Sequence, residues 1–170
     1  MKTLLLLRHA RPSQFNFGGR DFDRPLAAEG RADALLVGQF LRRKNLLPEQ
    51  VVCSPAARAQ QTADLVIEAA QLDARPLFHE RIYEASTEQL FEVVSEAEDS
   101  ADVVLLVGHN PGLQSLLTRL TGEGAAMTPA TLARIDLDID AWSNLRRAGQ
   151  EEEEEGRLVF AFPPHALAGL

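Results

Sequence analysis

The sequence predicts an α/β fold, a three-layer sandwich with a mostly parallel central sheet and helices on both faces. Three observations predict it. Short apolar runs alternate along the chain with stretches whose apolar residues recur at helical spacing. The runs lack the polar alternation of a strand with one wet face, so they read as strands covered on both sides. The resulting order, βαβαβαβα followed by ββ, buries a largely parallel sheet between helices and ends it with a hairpin.

The strands are Thr3 to Leu7, Val51 to Cys53, Pro76 to Phe78 and Val103 to Val107. Between them, Ala32, Leu35, Leu36 and Phe40 form a first helical stripe. Ala59, Thr62, Ala63, Val66, Ile67 and Ala70 form a second, Leu90, Val93, Val94 and Ala97 a third, and Leu113, Leu116, Leu117 and Leu120 a fourth. Ser54-Pro55 and Asn110-Pro111 each read as an N-cap followed by a proline in the first helical position. Ser86 with Gln89 reads as a capping box. In the closing hairpin, Ile135, Leu137 and Ile139 alternate within Ala133 to Ile139, and Leu158 to Phe162 returns. Residues 150–156 lie between these strands and contain Glu151 to Glu155, five adjacent carboxylates that repel one another, which reads as an exposed acidic loop.

Length and composition exclude several classes. A chain of 170 residues, 45% hydrophobic and 25% charged, is expected to form one domain over residues 1–170. Its apolar runs are far shorter than the roughly 20 residues of a membrane span. Lys2 and four leucines imitate the start of a signal peptide, but the run stops at Arg8 and His9. One cysteine, Cys53, offers neither a disulfide framework nor a zinc cluster, so a cytoplasmic location is expected, with Cys53 as a small buried hydrophobe. A net charge of −8 argues against nucleic-acid and anionic-membrane partners.

In sheets of this kind ligands bind beyond the carboxyl ends of the strands. The first strand delivers Arg8-His9-Ala10-Arg11 there, the second Ser54-Pro55-Ala56-Ala57-Arg58, the third Glu80 to Glu84, and the fourth Gly108-His109-Asn110-Pro111-Gly112. All but two of the 17 basic residues are arginine, whose planar fork suits bidentate binding of phosphate or carboxylate. Two helix amino termini would add backbone N–H groups. The convergence describes an oxyanion pocket, most naturally one for phosphate; phosphate or sulfate is expected to fit it. The Gly108 to Gly112 stretch lacks the ending of a Walker loop. Ser54 reads better as a cap than as a nucleophile, and His79 and His165 as loop residues. Arg11, Arg20 and Arg24 are balanced between reaching a substrate and pairing with Asp21, Asp23 or Glu29.

These residues carry a family resemblance. Leu-Leu-Arg8-His9-Ala10 resembles the Arg-His-Gly signature of the histidine phosphatase superfamily, the phosphoglycerate mutase-like fold. Ser54 through Ala63 resembles its second motif, and Gly108-His109-Asn110 its third. Asp23-Arg24-Pro25-Leu26 before Gly30, and Leu158-Val159-Phe160 then Pro163, are most similar to the SixA phosphohistidine phosphatase branch. Ala10 stands where the signature has glycine, and Asn16 lies one position from the place of a phosphate-binding asparagine in mutase-like relatives.

The resemblance implies catalysis through a covalent phosphohistidine on His9, with Arg8, Arg58 and a protonated His109 clamping the phosphoryl group, Asn16 as a further substrate contact, and no metal or cofactor. It places Glu84 as proton donor to an ester leaving group, with Glu80 as backup; SixA-like members can dispense with that acid, because a protonated imidazole leaves readily. The implied substrate is a phosphorylated protein carrying phosphohistidine. Two alternatives remain: a small-molecule phosphomonoesterase or mutase acting on a phosphate ester, and a phosphate-binding module without turnover.

Overall fold

The computed structural model describes residues 1–14, 18–145 and 156–170. Asn16 and the run Glu151 to Glu155 lie outside the described residues. Strands β1 (Lys2–Arg8), β2 (Gln50–Cys53), β3 (Pro76–Phe78), β4 (Val103–Gly108), β5 (Leu132–Leu137) and β6 (Gly156–Phe162) form one sheet in the order β3-β2-β4-β1-β5-β6. The β3-β2-β4-β1 block is parallel, and β5 runs antiparallel to both β1 and β6. Helices α1 (Ala28–Arg43), α2 (Ala57–Ala70), α3 (Thr87–Ser95) and α4 (Gly112–Thr121) cover its faces. This is the three-layer sandwich that the periodicity predicts.

The period-2 geometry of a strand divides the leucine run of β1 between two cores. Leu5 and Leu7 pack with Val37, Leu41, Ala63 and Val66 of α1 and α2. Leu4 and Leu6 pack with Leu90, Val94, Leu113 and Leu117 of α3 and α4. Each leucine of the run is fully buried, and burial of that kind contributes about 1.5–3 kcal/mol per side chain.

Three expectations need correction. The strand Pro76 to Phe78 is an edge strand rather than one covered on both faces: Leu77 and Phe78 remain 46% exposed. The first helical stripe is also different. Ala32 is exposed and Leu35 and Leu36 are half-buried, whereas α1 buries Gly30, Ala34, Val37, Gly38, Phe40 and Leu41. Small residues make that face because the helix approaches its neighbours closely. A Cβ at Gly30 would collide with the backbone carbonyl of Arg11, and one at Gly38 would lie 2.6 Å from the Val66 carbonyl and the Ala69 methyl of α2. Finally, Ser54 and Asn110 are not N-caps. The helices start later, with Ala56 and Pro111 in the cap positions and no side-chain cap bond at either. The capping box of Ser86 and Gln89 forms as expected.

Candidate active site

Sheet register assembles the centre of the site. In the β1/β4 ladder Arg8 is paired with Gly108, so the next residues of both strands, His9 and His109, emerge side by side. Their ring centroids are 5.0 Å apart. In the β2/β4 ladder Cys53 is opposite Val107, which brings Ser54 to the same edge. The antiparallel β5 begins there too: the Ala130 amide donates to the carbonyls of Arg8 and His9, both at 3.1 Å. The segment before β5 thereby lines the same end of the sheet.

His9 is 6% exposed. Its Nδ1 lies 2.8 Å from the carbonyl oxygen of Ala10. A carbonyl can only accept, so Nδ1 carries the proton and Nε2 presents its lone pair. Burial pushes the imidazole pKa down to about 4; the Ala10 bond opposes this, and the positive charges of Arg58, Arg8 and Arg24 add to it. Thr62 supports this geometry from α2. Its hydroxyl accepts from the Ala10 amide at 3.0 Å and donates to the Arg58 carbonyl at 2.7 Å.

His109 contacts Ser54, with Nε2 2.8 Å from Oγ, while the same hydroxyl accepts from the Ala56 amide at 3.2 Å. Its Nδ1 is buried without a hydrogen-bond partner. Burial first, then the fields of His9, Arg58 and Arg8 against that of Asp21, lower its pKa to about 3. Both histidines are therefore neutral near pH 7. The edge of Tyr83 meets the His109 ring at 5.5 Å between centroids.

The arginines share one pattern. Arg8 donates from Nη1 to the Met127 carbonyl at 3.0 Å. Arg58 donates from Nη1 to the Asp21 carbonyl at 2.9 Å and pairs through Nη2 with Asp21 Oδ2 at 3.1 Å. Arg24 pairs through Nη2 with Asp21 Oδ1 at 3.1 Å. In all three the Nε–H group is buried with no partner among the described residues. Burial and the charge of Arg58 lower the pKa of Arg8, a sign that the two guanidiniums share one region. Cations held together with unmade donors favour an anion with several oxygens.

The structure thus brings Arg8, His9, Arg58 and His109 together. Glu84 is exposed, has a left-handed backbone (φ 54°), and makes no hydrogen bond or ion pair among the described residues; Glu80 is exposed as well. Arg11 and Arg20 pair with Glu29 and Asp23, the surface alternative of the sequence reading. Cys53 is buried, and burial raises its thiol pKa. The sequence reading missed Asp21, Tyr83, Thr62 as a hydrogen-bonding residue, and the Met127 carbonyl. Only the i, i+3 spacing of Asp21 and Arg24 hinted at the first.

A mostly parallel sheet with two neutral histidines and a cluster of buried and half-buried arginines at its carboxyl edge defines a phosphoryl-handling site. The model of the histidine phosphatase superfamily (branch 1) matches residues 4–99. An uncharacterized protein of Mycobacterium tuberculosis, MT1313, is 35% identical over 124 residues, 71% of this chain and 75% of that protein. The structure of a candidate phosphohistidine phosphatase SixA from Nakamurella multipartitia superposes with a TM-score of 0.79 at 26% identity, covering 95% of both chains. A protein histidine phosphatase SixA complexed with tungstate has the same fold, with a TM-score of 0.81 at 21% identity over 97% of this chain and 99% of that one. The chain belongs to the histidine phosphatase superfamily, branch 1, and is a phosphatase by class. No helix among the described residues is long and apolar enough to cross a membrane.

Proposed function

We propose that this phosphatase hydrolyses phosphohistidine on a protein, in the manner of SixA, through a covalent intermediate on His9. The observation that carries the reading is the His9 ring: neutral, with Nδ1 tied to the Ala10 carbonyl and its lone pair on Nε2. In the first step Nε2 attacks phosphorus, the bond from phosphorus to the substrate nitrogen breaks, and the leaving imidazole departs with its proton. In the second, water attacks phosphorus, the Nε2–P bond breaks, and inorganic phosphate leaves. Arg8 and Arg58 offer unmade Nε–H groups to the phosphoryl oxygens, whose charge is spread over three atoms. His109 adds a third donor, since a bound dianion raises its pKa from about 3 and favours the imidazolium. The chemistry needs no cofactor. The whole of residues 1–170 acts as one domain in this reading, and its single buried thiol suits the reducing cytoplasm.

Phosphohistidine does not require either Glu84 or Glu80, because an alkoxide leaving group needs a carboxylic acid in the site and an imidazole does not. Both glutamates are exposed, and neither side chain bonds to the site residues among the described residues. One observation favours a small phosphate ester: Glu84 follows Tyr83, whose ring is in T-shaped contact with that of His109. A parallel turnover assay with a phosphohistidine protein domain and p-nitrophenyl phosphate separates the two. Wild type should turn over the first substrate well, Glu84→Gln should change that little, and His9→Ala should abolish it. Retained turnover in His9→Ala overturns the mechanism, and ester hydrolysis that collapses in Glu84→Gln assigns the ester. Absence of turnover with intact phosphate binding would leave a binding module.

A further inference from the structure

We propose that Arg24 is a third guanidinium of the phosphate cradle, locked beside Arg58 by the two carboxylate oxygens of Asp21, which positions both. The inference rests on the phosphate-site reading above and extends it to a residue pair outside the three motifs.

Asp21 opens the short 3-10 turn Asp21–Asp23. Its Oδ1 binds Nη2 of Arg24 and its Oδ2 binds Nη2 of Arg58, both at 3.1 Å. Its own carbonyl accepts from Arg58 Nη1 at 2.9 Å, and the Tyr83 hydroxyl donates to Oδ2 at 3.4 Å. One residue therefore occupies the terminal nitrogens of two guanidiniums. A guanidinium carries five N–H groups in a rigid fork, so fixing the tip also fixes the direction of the Nε edge. That edge is left unmade in both arginines: each Nε is buried and has no partner among the described residues. Arg8 repeats the arrangement, with its tip on the Met127 carbonyl and its Nε unmade.

An ordinary surface pair does not account for this. An exposed i, i+3 pair keeps its remaining donors in water, whereas a buried N–H left unmade costs more than such a pair returns. Three cationic donors buried without acceptors fit a ligand that brings several anionic oxygens. Arg24 acts on the same centre, since its charge helps to lower the pKa of His9, while the carboxylate of Asp21 raises that of His109. Asp21 thereby holds the two guanidiniums beside one another and leaves both Nε–H groups, buried in this structure, without an acceptor among the described residues.

Calorimetric titration of tungstate and inorganic phosphate into wild type, Arg24→Ala, Asp21→Ala and the double variant tests the proposal, with p-nitrophenyl phosphate kinetics alongside. Arg24→Ala should weaken anion binding by at least about tenfold, the loss for one charge-assisted hydrogen bond. Asp21→Ala should weaken it as well, with a higher KM. The double variant should lose less than the sum of the two single losses, because Asp21 acts partly through Arg24. The thermal midpoints of the ligand-free variants separate lost binding from lost folding, and Arg24→Gln replaces Arg24→Ala if the latter fails to fold. Wild type that binds no anion overturns the phosphate-site reading itself. Wild type that binds while Arg24→Ala or Asp21→Ala binds within about twofold of it overturns this inference alone. Tighter binding by Asp21→Ala would make Asp21 an internal competitor of the substrate, which also overturns the positioning role.

Discussion

A histidine that attacks phosphorus must be neutral, and the surroundings of His9 and His109 hold both imidazoles far below their ordinary pKa of 6.5, at about 4 and about 3. The rings are 5.0 Å apart, so they titrate as a coupled pair. Lowered pKa values in the fold mean that the unfolded chain takes up protons first as pH falls. The stability these groups contribute is present in full above about 6.5 and is lost as pH drops toward about 4. Thermal midpoints measured from pH 7 to pH 4 should therefore fall, and the double variant His9→Asn, His109→Asn should show a flatter profile. An equally steep profile in that variant would place the titrating groups elsewhere. At this scale Arg8, His9, Arg58 and His109 were legible in the sequence, because each stands at the end of a strand, just after one, or in the first turn of a helix, where periodicity sends it to one edge of the sheet. Arg24 was left balanced between a substrate role and a surface pair, and Asp21 was named only as a possible partner in such a pair. They come back over the site because contacts between loop ends close the segment: Pro12 bridges Leu26, and the Ser13 amide donates to the Pro25 carbonyl at 2.8 Å. No residue pattern announces a contact of that kind.

Among the elements, α1 departs most from its sequence reading, and the reason is close packing. Hydropathy favours Leu35 and Leu36, but the face that meets α2 is built from Gly38 with Ala34 and Val37, and Leu35 and Leu36 are left half-buried. Gly38→Ala should destabilise the protein by about 1–3 kcal/mol, since the added methyl meets backbone rather than a flexible side chain. Chemical denaturation reads the effect directly; a stabilised variant, as helix propensity alone would give, would contradict the packing argument. The stripes of α2, α3 and α4 were legible because their buried faces are made by Val, Leu and Ala at regular spacing. The misplaced N-caps have a chemical reason. Ser54 turns its hydroxyl to His109, and Asn110 donates to Gln114 and to the Met127 carbonyl, so both residues join the site's network instead of capping a helix.

For the whole molecule, alternation of strands and helices was enough to predict the architecture, and it also implied the pocket at the strand ends. What it did not give was strand order, which depends on pairings between distant residues: β1 lies between β4 and β5, about 100 residues or more away in sequence. That order makes β1 and β4 central and leaves β3 at an edge with exposed Leu77 and Phe78. Native-state hydrogen exchange should follow it, with β1 and β4 amides exchanging only through global unfolding and β3 amides opening earlier. Uniform protection across the sheet would contradict this hierarchy.

The bond between His9 Nδ1 and the Ala10 carbonyl has a consequence for how the site tolerates change. In a triad built from side chains, the residue that orients the histidine can be deleted by one codon substitution. Here the orienting oxygen belongs to the peptide backbone and persists whatever side chain occupies position 10. A saturation scan of the chain should find no orienting carboxylate for His9 of the kind a Ser-His-Asp triad supplies. It should find Thr62→Val instead, which removes the hydroxyl that holds the Ala10 amide, in the peptide just before the orienting carbonyl. The orientation of His9 is thus written into the path of the chain, where single substitutions reach it only indirectly.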